Sequence, residues 1–130
     1  FAVNAINQIA FTGAPSLTVA TAVAGSNPTS ATDNSASWAV TSNQTNAKIT
    51  ASIPTAMPAG VSLSVNLAAP TGATSAGAQA LSTTAVDLVT SVTKLAQGAL
   101  GVTYTLAATP AAGVVPSSTR VVTYTITGGT

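Results

Sequence analysis

Alternation with a period of two constrains this chain more than any other feature. VSLSVNLAA shows it cleanly, with Val61, Leu63, Val65 and Leu67 on one face and Ser62, Ser64 and Asn66 on the other. Successive side chains of a strand point to opposite faces, so such a segment builds a sheet with one apolar and one polar surface. NAKITASI repeats the pattern with Ala47, Ile49, Ala51 and Ile53 against Lys48, Thr50 and Ser52. LGVTYTLAAT sets Val102, Tyr104 and Leu106 against Thr103 and Thr105, and TRVVTYTITGG sets Val122, Tyr124 and Ile126 against Val121, Thr123 and Thr125. SWAVTS reads as a short strand with Trp38 and Val40 inward, and SLTVATAV as one with Leu17, Val19, Thr21 and Val23 on a common face. The opening FAVNAINQIAFTG alternates through Phe1, Val3 and Ala5, changes phase near Ala5–Ile6, and resumes with Ile9 and Phe11.

Turn residues separate these segments. AGSNPTSATDNSAS reads as a loop or ragged edge, PTAMPAG as a turn, TGATSAGAQA as a flexible connection and PAAGVVPSS as a loop. Residues 82–97 are ambiguous, because Val86, Val89, Val92 and Leu95 recur at nearly helical spacing. Thr and Val dominate there, which disfavours helix, so a strand through Val86 and Leu88, a turn and a second short strand through Val92 are expected. About eight strands at intervals near a dozen residues, without crossover helices, predict an all-β fold. The expected architecture is a two-sheet antiparallel β-sandwich, Ig-like or pilin-like, in a single domain over residues 1–130.

Composition narrows the function classes. Hydrophobic residues make up 46% of the chain, but only 4% of residues are charged. The charged side chains are Asp33, Asp87, Lys48, Lys94 and Arg120. No basic patch exists, so binding to nucleic acid or to an anionic membrane surface has no electrostatic basis. So little charge favours self-association. Cys and His are absent, which removes disulfides, Cys–His zinc sites and a Ser–His–Asp triad. No apolar run reaches the ~18 residues of a spanning helix. Numbering that starts inside a strand suggests a secreted protein whose signal peptide has been removed.

The remaining chemical motifs favour structural readings. Asp33 and Asp87 are the only carboxylate side chains, and their placement in a loop and in a strand or helix argues against a general acid–base pair. Lys48 and Lys94 have no nucleophile elbow around them and read as solvated strand lysines. TDNS at Thr32–Ser35 offers one carboxylate, too few for calcium, and reads as an Asx turn. No phosphate-loop spacing occurs. Trp38, Tyr104 and Tyr124 form either a sugar-stacking platform or, as their apolar faces suggest, part of the core. Asn43-Gln44-Thr45 is an N-glycosylation sequon with Asn43 as acceptor, and exposed Ser and Thr offer further attachment points for glycans. An enzyme is not expected, and neither is a cofactor or a metal.

The stretch VTYTLAATPAAGVVPSSTRVVTYTITG resembles the closing hairpin of secreted bacterial pilin-like sandwiches, among them chaperone–usher subunits of the spore-coat-U type. LAAPTGATSAGAQALSTTAVDLVTSVTKLAQG is similar to short secreted bacterial proteins of unassigned function. The chain departs from spore-coat-U subunits in having no cysteine. The resemblance implies a fibre subunit at the cell surface. It also bears on the opening strand, which either completes its own sandwich or, over residues 1–12, is donated to a neighbour. Phe1, Val3, Ala5, Ile6, Ile9 and Phe11 would then form the interface, and the bend near Ala5–Ile6 would separate an outward half from a home half. Burying a large apolar side chain is worth roughly 1.5–3 kcal/mol, so several of them make a durable joint. Because the joint is head-to-tail, it propagates a homopolymer. The alternative is a carbohydrate-binding or adhesive module using Trp38 and a tyrosine. Either is expected outside the cell.

Overall fold

A computed structural model describes all residues, Phe1–Thr130. Nine strands form two antiparallel sheets packed face to face. They are β1 (Asn7–Thr12), β2 (Ala31–Ser42), β3 (Ala47–Ser52), β4 (Val61–Leu67), β5 (Thr74–Ser75), β6 (Gln79–Ala80), β7 (Val86–Val92), β8 (Leu95–Ala108) and β9 (Thr123–Thr127). One sheet has the order β1-β2-β8-β4-β6 and the other β5-β7-β3-β9. The expected β-sandwich is therefore present. A single 3-10 turn, Pro110–Ala112, is the only helical element, and no helix is long and apolar enough to cross a membrane.

The alternation sets what is buried. Trp38 and Val40 of β2, Val65 and Leu67 of β4, and Leu100, Val102 and Tyr104 of β8 line the inner face of the first sheet. Ala47, Ile49 and Ala51 of β3 and Leu88, Val89 and Val92 of β7 line the second. Trp38 fills the middle, only 1% exposed, with its indole N–H donating to the Ala68 carbonyl at 3.1 Å. The hydroxyls of Tyr104 on β8 and Tyr124 on β9 hydrogen-bond across the two sheets at 2.5 Å. Opposite polar side chains face outward, including the Lys48–Asp87 ion pair at 3.2 Å on the second sheet.

Within residues 82–97 the strand reading holds but the turn is corrected: Val86–Val92 is one unbroken strand, and the turn follows it at Thr93–Lys94 before Leu95 opens β8. The helix-like spacing comes from bulges. The β3–β7 register slips on either side of Ile49, and Ser91 has φ +60°, so Leu88, Val89 and Val92 all face inward.

Three readings of the connections are corrected. SLTVATAV pairs with no strand; burial still alternates through Pro15, Leu17 and Val19, and Leu17 packs on the core. The ragged loop is half strand, since β2 begins at Ala31 and takes in Asp33. The Gly-rich connection contains β5 and β6, which pair with β7 and β4 respectively and so close one side of the sandwich. The opening strand is shorter than its alternation suggests, beginning at Asn7 with residues 1–6 outside any sheet.

Candidate functional site

The strand registers give the sandwich two unlike ends. Asn7, Ser42, Ala47, Val92, Leu95 and Thr127 mark one end, joined by the short connections Asn43–Asn46 and Thr93–Lys94. It is called the turn pole here. Ala31, Ser52, Val61, Ala108 and Thr123 mark the opposite end, reached through the longer segments 13–30, 53–60 and 109–122; β1 stops short of it, with Thr12 paired to Ser37 midway along β2. This end is called the loop pole.

The opening segment divides between its own sheet and the solvent. Asn7–Thr12 pairs antiparallel with Ser42–Ser37. Ile9 and Phe11 are half-buried and pack on the core. Phe11 is the middle of a three-ring stack, 5.7 Å from Trp38 and 3.7 Å from Tyr124 between ring centres, with nearly parallel planes. This stack joins β1 of one sheet to β9 of the other. Phe1, Val3 and Ala5 lie outside the sheet and are exposed, as is Ile6 in large part.

Asn43 acts as a clamp on that segment. Its side-chain carbonyl accepts from the Ile6 N–H at 2.8 Å, its side-chain amide donates to the Asn4 carbonyl at 2.8 Å, and its backbone N–H donates to the Ile6 carbonyl at 3.1 Å. The sequon residue thus already has a structural task. Nearby, the Asn7 amide donates to Gln44 at 2.6 Å and its carbonyl accepts from the buried Ser42 hydroxyl at 2.7 Å. Thr45 and Thr130 exchange two backbone hydrogen bonds, and the Lys94 N–H donates to the Gln44 carbonyl. Gly128 and Gly129 permit this closeness: a Cβ at Gly129 would collide with the Thr45 carbonyl, and one at Gly128 with the Gln44 side chain.

The bonds of the loop pole are spread over longer stretches of chain, and Gly60 ties two of its segments by accepting from the Thr109 N–H at 2.8 Å. Between Gly13 and Ser30 the chain makes the Ala22–Pro28 bridge, the Thr29 N–H to Thr21 carbonyl bond and one tight turn. Arg120 pins segment 109–122 to segment 53–60 by donating to the Thr55 and Ala56 carbonyls at 3.1 Å each.

Exposed large apolar side chains fall only at these two ends. Phe1, Val3 and Ile6 extend from the turn pole, and Val23, Val114, Val115 and Val121 lie on the loop-pole segments. Two open depressions fall there as well. One, of about 360 Å³, is bordered by Pro28, Gly60, Val61 and Thr109; the other, of about 430 Å³, by Ile6, Asn43 and Lys94.

The groups with chemical potential are dispersed. Asp87 pairs with Lys48 on the second sheet, whereas Asp33 lies in the first and accepts from the Ser35 hydroxyl at 2.6 Å and the Ser35 N–H at 2.9 Å. Those two bonds, the hydroxyl's first, hold the Asp33 carboxyl below its ordinary range, and burial opposes them. TDNS is thus an Asx-type bulge in β2. Burial is the main cause that raises both tyrosines above the ordinary phenol range, and they share one hydrogen bond. Phe11 covers one ring face of both Trp38 and Tyr124, which places the three aromatic side chains in the core arrangement rather than on a surface platform.

Sequence reasoning missed the Asn43 clamp, the tyrosine pair and the exposed valines. The last left a trace: GVVPSS puts two large apolar residues into a loop, where nothing in the fold asks for them. No protein-family model, curated protein or solved structure matches this chain.

Proposed function

We propose that this chain is a structural subunit of an extracellular filament or surface assembly, joined head-to-tail to copies of itself by strand complementation. The segment Phe1–Ile6 is given to the neighbour, and Asn7–Thr12 roots it in the home sheet. The observation that carries this reading is the segregation of large exposed apolar side chains to opposite poles, three on one and four on the other. Polar, nearly uncharged flanks between two apolar ends favour contact in one direction, and a contact between unlike surfaces repeats without closing. Apart from the Asn4 carbonyl and the Ile6 backbone held by Asn43, the backbone groups of Phe1–Ile6 are unpaired, and on pairing as a strand they supply the hydrogen bonds as well as the apolar side chains of such a joint.

Deletion of residues 1–6 tests it. These residues lie outside every strand and their deletion gives up only the exposed Asn43 bonds, about 1 kcal/mol, so the truncated domain is expected to stay folded with its melting temperature lowered by about 5 °C or less. Negative-stain microscopy is expected to show filaments for the whole chain and dispersed particles for the truncated one. Filaments of unchanged length from the truncated chain would end the strand-donation reading.

A further inference from the structure

We infer that the loop pole receives the Phe1–Ile6 segment of a second copy alongside Pro15–Ala20; the inference rests on the head-to-tail reading above. A donated strand needs a backbone edge without a partner, and the edges of the sandwich reduce to one suitable stretch. β1 and β9, the edge strands on one side, have outer edges without a ladder, but β1 is the root of the donated segment itself and both are already tied together by the Phe11–Tyr124 stack. β5 and β6, on the other side, are two residues each. The half of β2 beyond β1, Ala31–Ala36, has a free edge, but its register is broken between Asp33 and Ala36 and the Ser35 N–H is already taken by Asp33. A bulge with an acidic side chain is how edges are blunted against pairing.

Pro15–Ala20 differs on each count. Burial alternates along it, with Pro15, Leu17 and Val19 partly covered and Ser16, Thr18 and Ala20 exposed, as in a strand lying on a core. No backbone group from Ala14 to Ala20 has a hydrogen-bond partner in the chain. Such groups are satisfied only by water or by another strand. The stretch is six residues long, enough for Phe1–Ile6 to pair along it. Val114, Val115 and Val121 expose apolar surface at the same pole, where Phe1 and Val3 of the second copy need cover. Neither stretch contains a charged side chain, so the fit is one of backbone pairing and apolar contact.

The absence of cysteine makes the test direct. Val3→Cys and Thr18→Cys variants, both at exposed positions, are mixed under assembly conditions and oxidised; a parallel mixture uses Val3→Cys with Thr32→Cys on the bulged β2 edge. The expected result is at least ten-fold more disulfide-linked dimer from the first mixture than from the second. Equal yields, or a higher yield from the second, overturn the Pro15–Ala20 acceptor. Filaments with no cross-link in either mixture overturn it too, while leaving head-to-tail assembly standing. A whole chain that stays monomeric by sedimentation overturns both.

Discussion

Four residues, Asn43–Asn46, and two, Thr93–Lys94, carry the chain between sheets at the turn pole, whereas segments 13–30, 53–60 and 109–122 do the connecting at the loop pole. The short connections accept an unfavourable backbone to stay short. Asn46 and Lys94 have φ of +59° and +45°, a region that costs a residue with a side chain roughly 1–2 kcal/mol. The cost is offset by side-chain and backbone hydrogen bonds concentrated on Asn7, Ser42, Asn43, Gln44 and Thr45. At the loop pole the bracing is spread over longer segments, chiefly Arg120 on Thr55 and Ala56 and Thr109 on Gly60, and four large apolar side chains stay in solvent. On the head-to-tail reading proposed above, the difference assigns order to one end and adhesion to the other. One end fixes the direction of the Phe1–Ile6 segment, and the other keeps backbone and apolar surface unspent.

The comparison breaks most readily at the waist from which both poles extend. Phe11→Ala removes the ring between Trp38 and Tyr124, and we expect a loss of about 2–4 kcal/mol in urea unfolding, from cavity and lost stacking together. Tryptophan emission should shift to the red as Trp38 meets water. A cost under about 1 kcal/mol would mean that β1 is dispensable to the sandwich. Next in size, Asn7→Ala takes a partner from the buried Ser42 hydroxyl and from Gln44, for an expected 1–2 kcal/mol at about the cost of one unsatisfied buried group. Arg120→Ala, the matching cut at the loop pole, should cost about 1 kcal/mol or less, because its bonds are solvent-exposed. Its larger effect should be on limited proteolysis: elastase cleavage within 113–122 is expected to speed up several-fold, with none within 43–46. Equal sensitivity of the two poles would remove the distinction drawn between them.

Acidity gives the smallest effect at ordinary pH. Tyr104 and Tyr124 are raised above the usual value of 10.0, so the folded state favours their neutral forms. Their contribution is fully present below pH 10 and is lost as pH climbs above it. Asp33 is shifted the other way, so its bulge is secure above the ordinary carboxylate value of 3.8 and loosens as pH falls through its lowered one. A melting temperature that is flat from about pH 5 to 9 and declines on the alkaline side would agree. A broad decline between pH 5 and 9 would not, since no histidine is present to cause one.

Much of the fold was legible because period-two patterning depends only on which face is buried. VSLSVNLAA and NAKITASI became β4 and β3 with their apolar sets inward. Pattern alone did not reveal pairing. SLTVATAV alternates as well as any strand, yet it lies on the core without a ladder, since alternation reports one buried face and says nothing of a neighbouring backbone. Bulges hid β7, because two register slips turn a period of two into an apparent period of three. At the poles, the phase change near Ala5–Ile6 lies beside the point where β1 begins, but the partner that holds it, Asn43, is 37 residues away from Ile6. No local pattern carries that information.

The β1–β2 ladder has a mechanical consequence. A pull on Phe1–Ile6 along the strand axis loads the six register pairs from Asn7–Ser42 to Thr12–Ser37 in shear, all at once rather than one after another. Behind them, beyond the Pro15–Ala20 stretch, Thr21–Ser30 is held by few bonds, and ten residues drawn straight measure roughly 35 Å. Under tension a fibre of such units would resist stiffly until a ladder slips. It would then lengthen by paying out that stored chain while the rest of the sandwich stays folded, and it would yield as a shock absorber before it breaks.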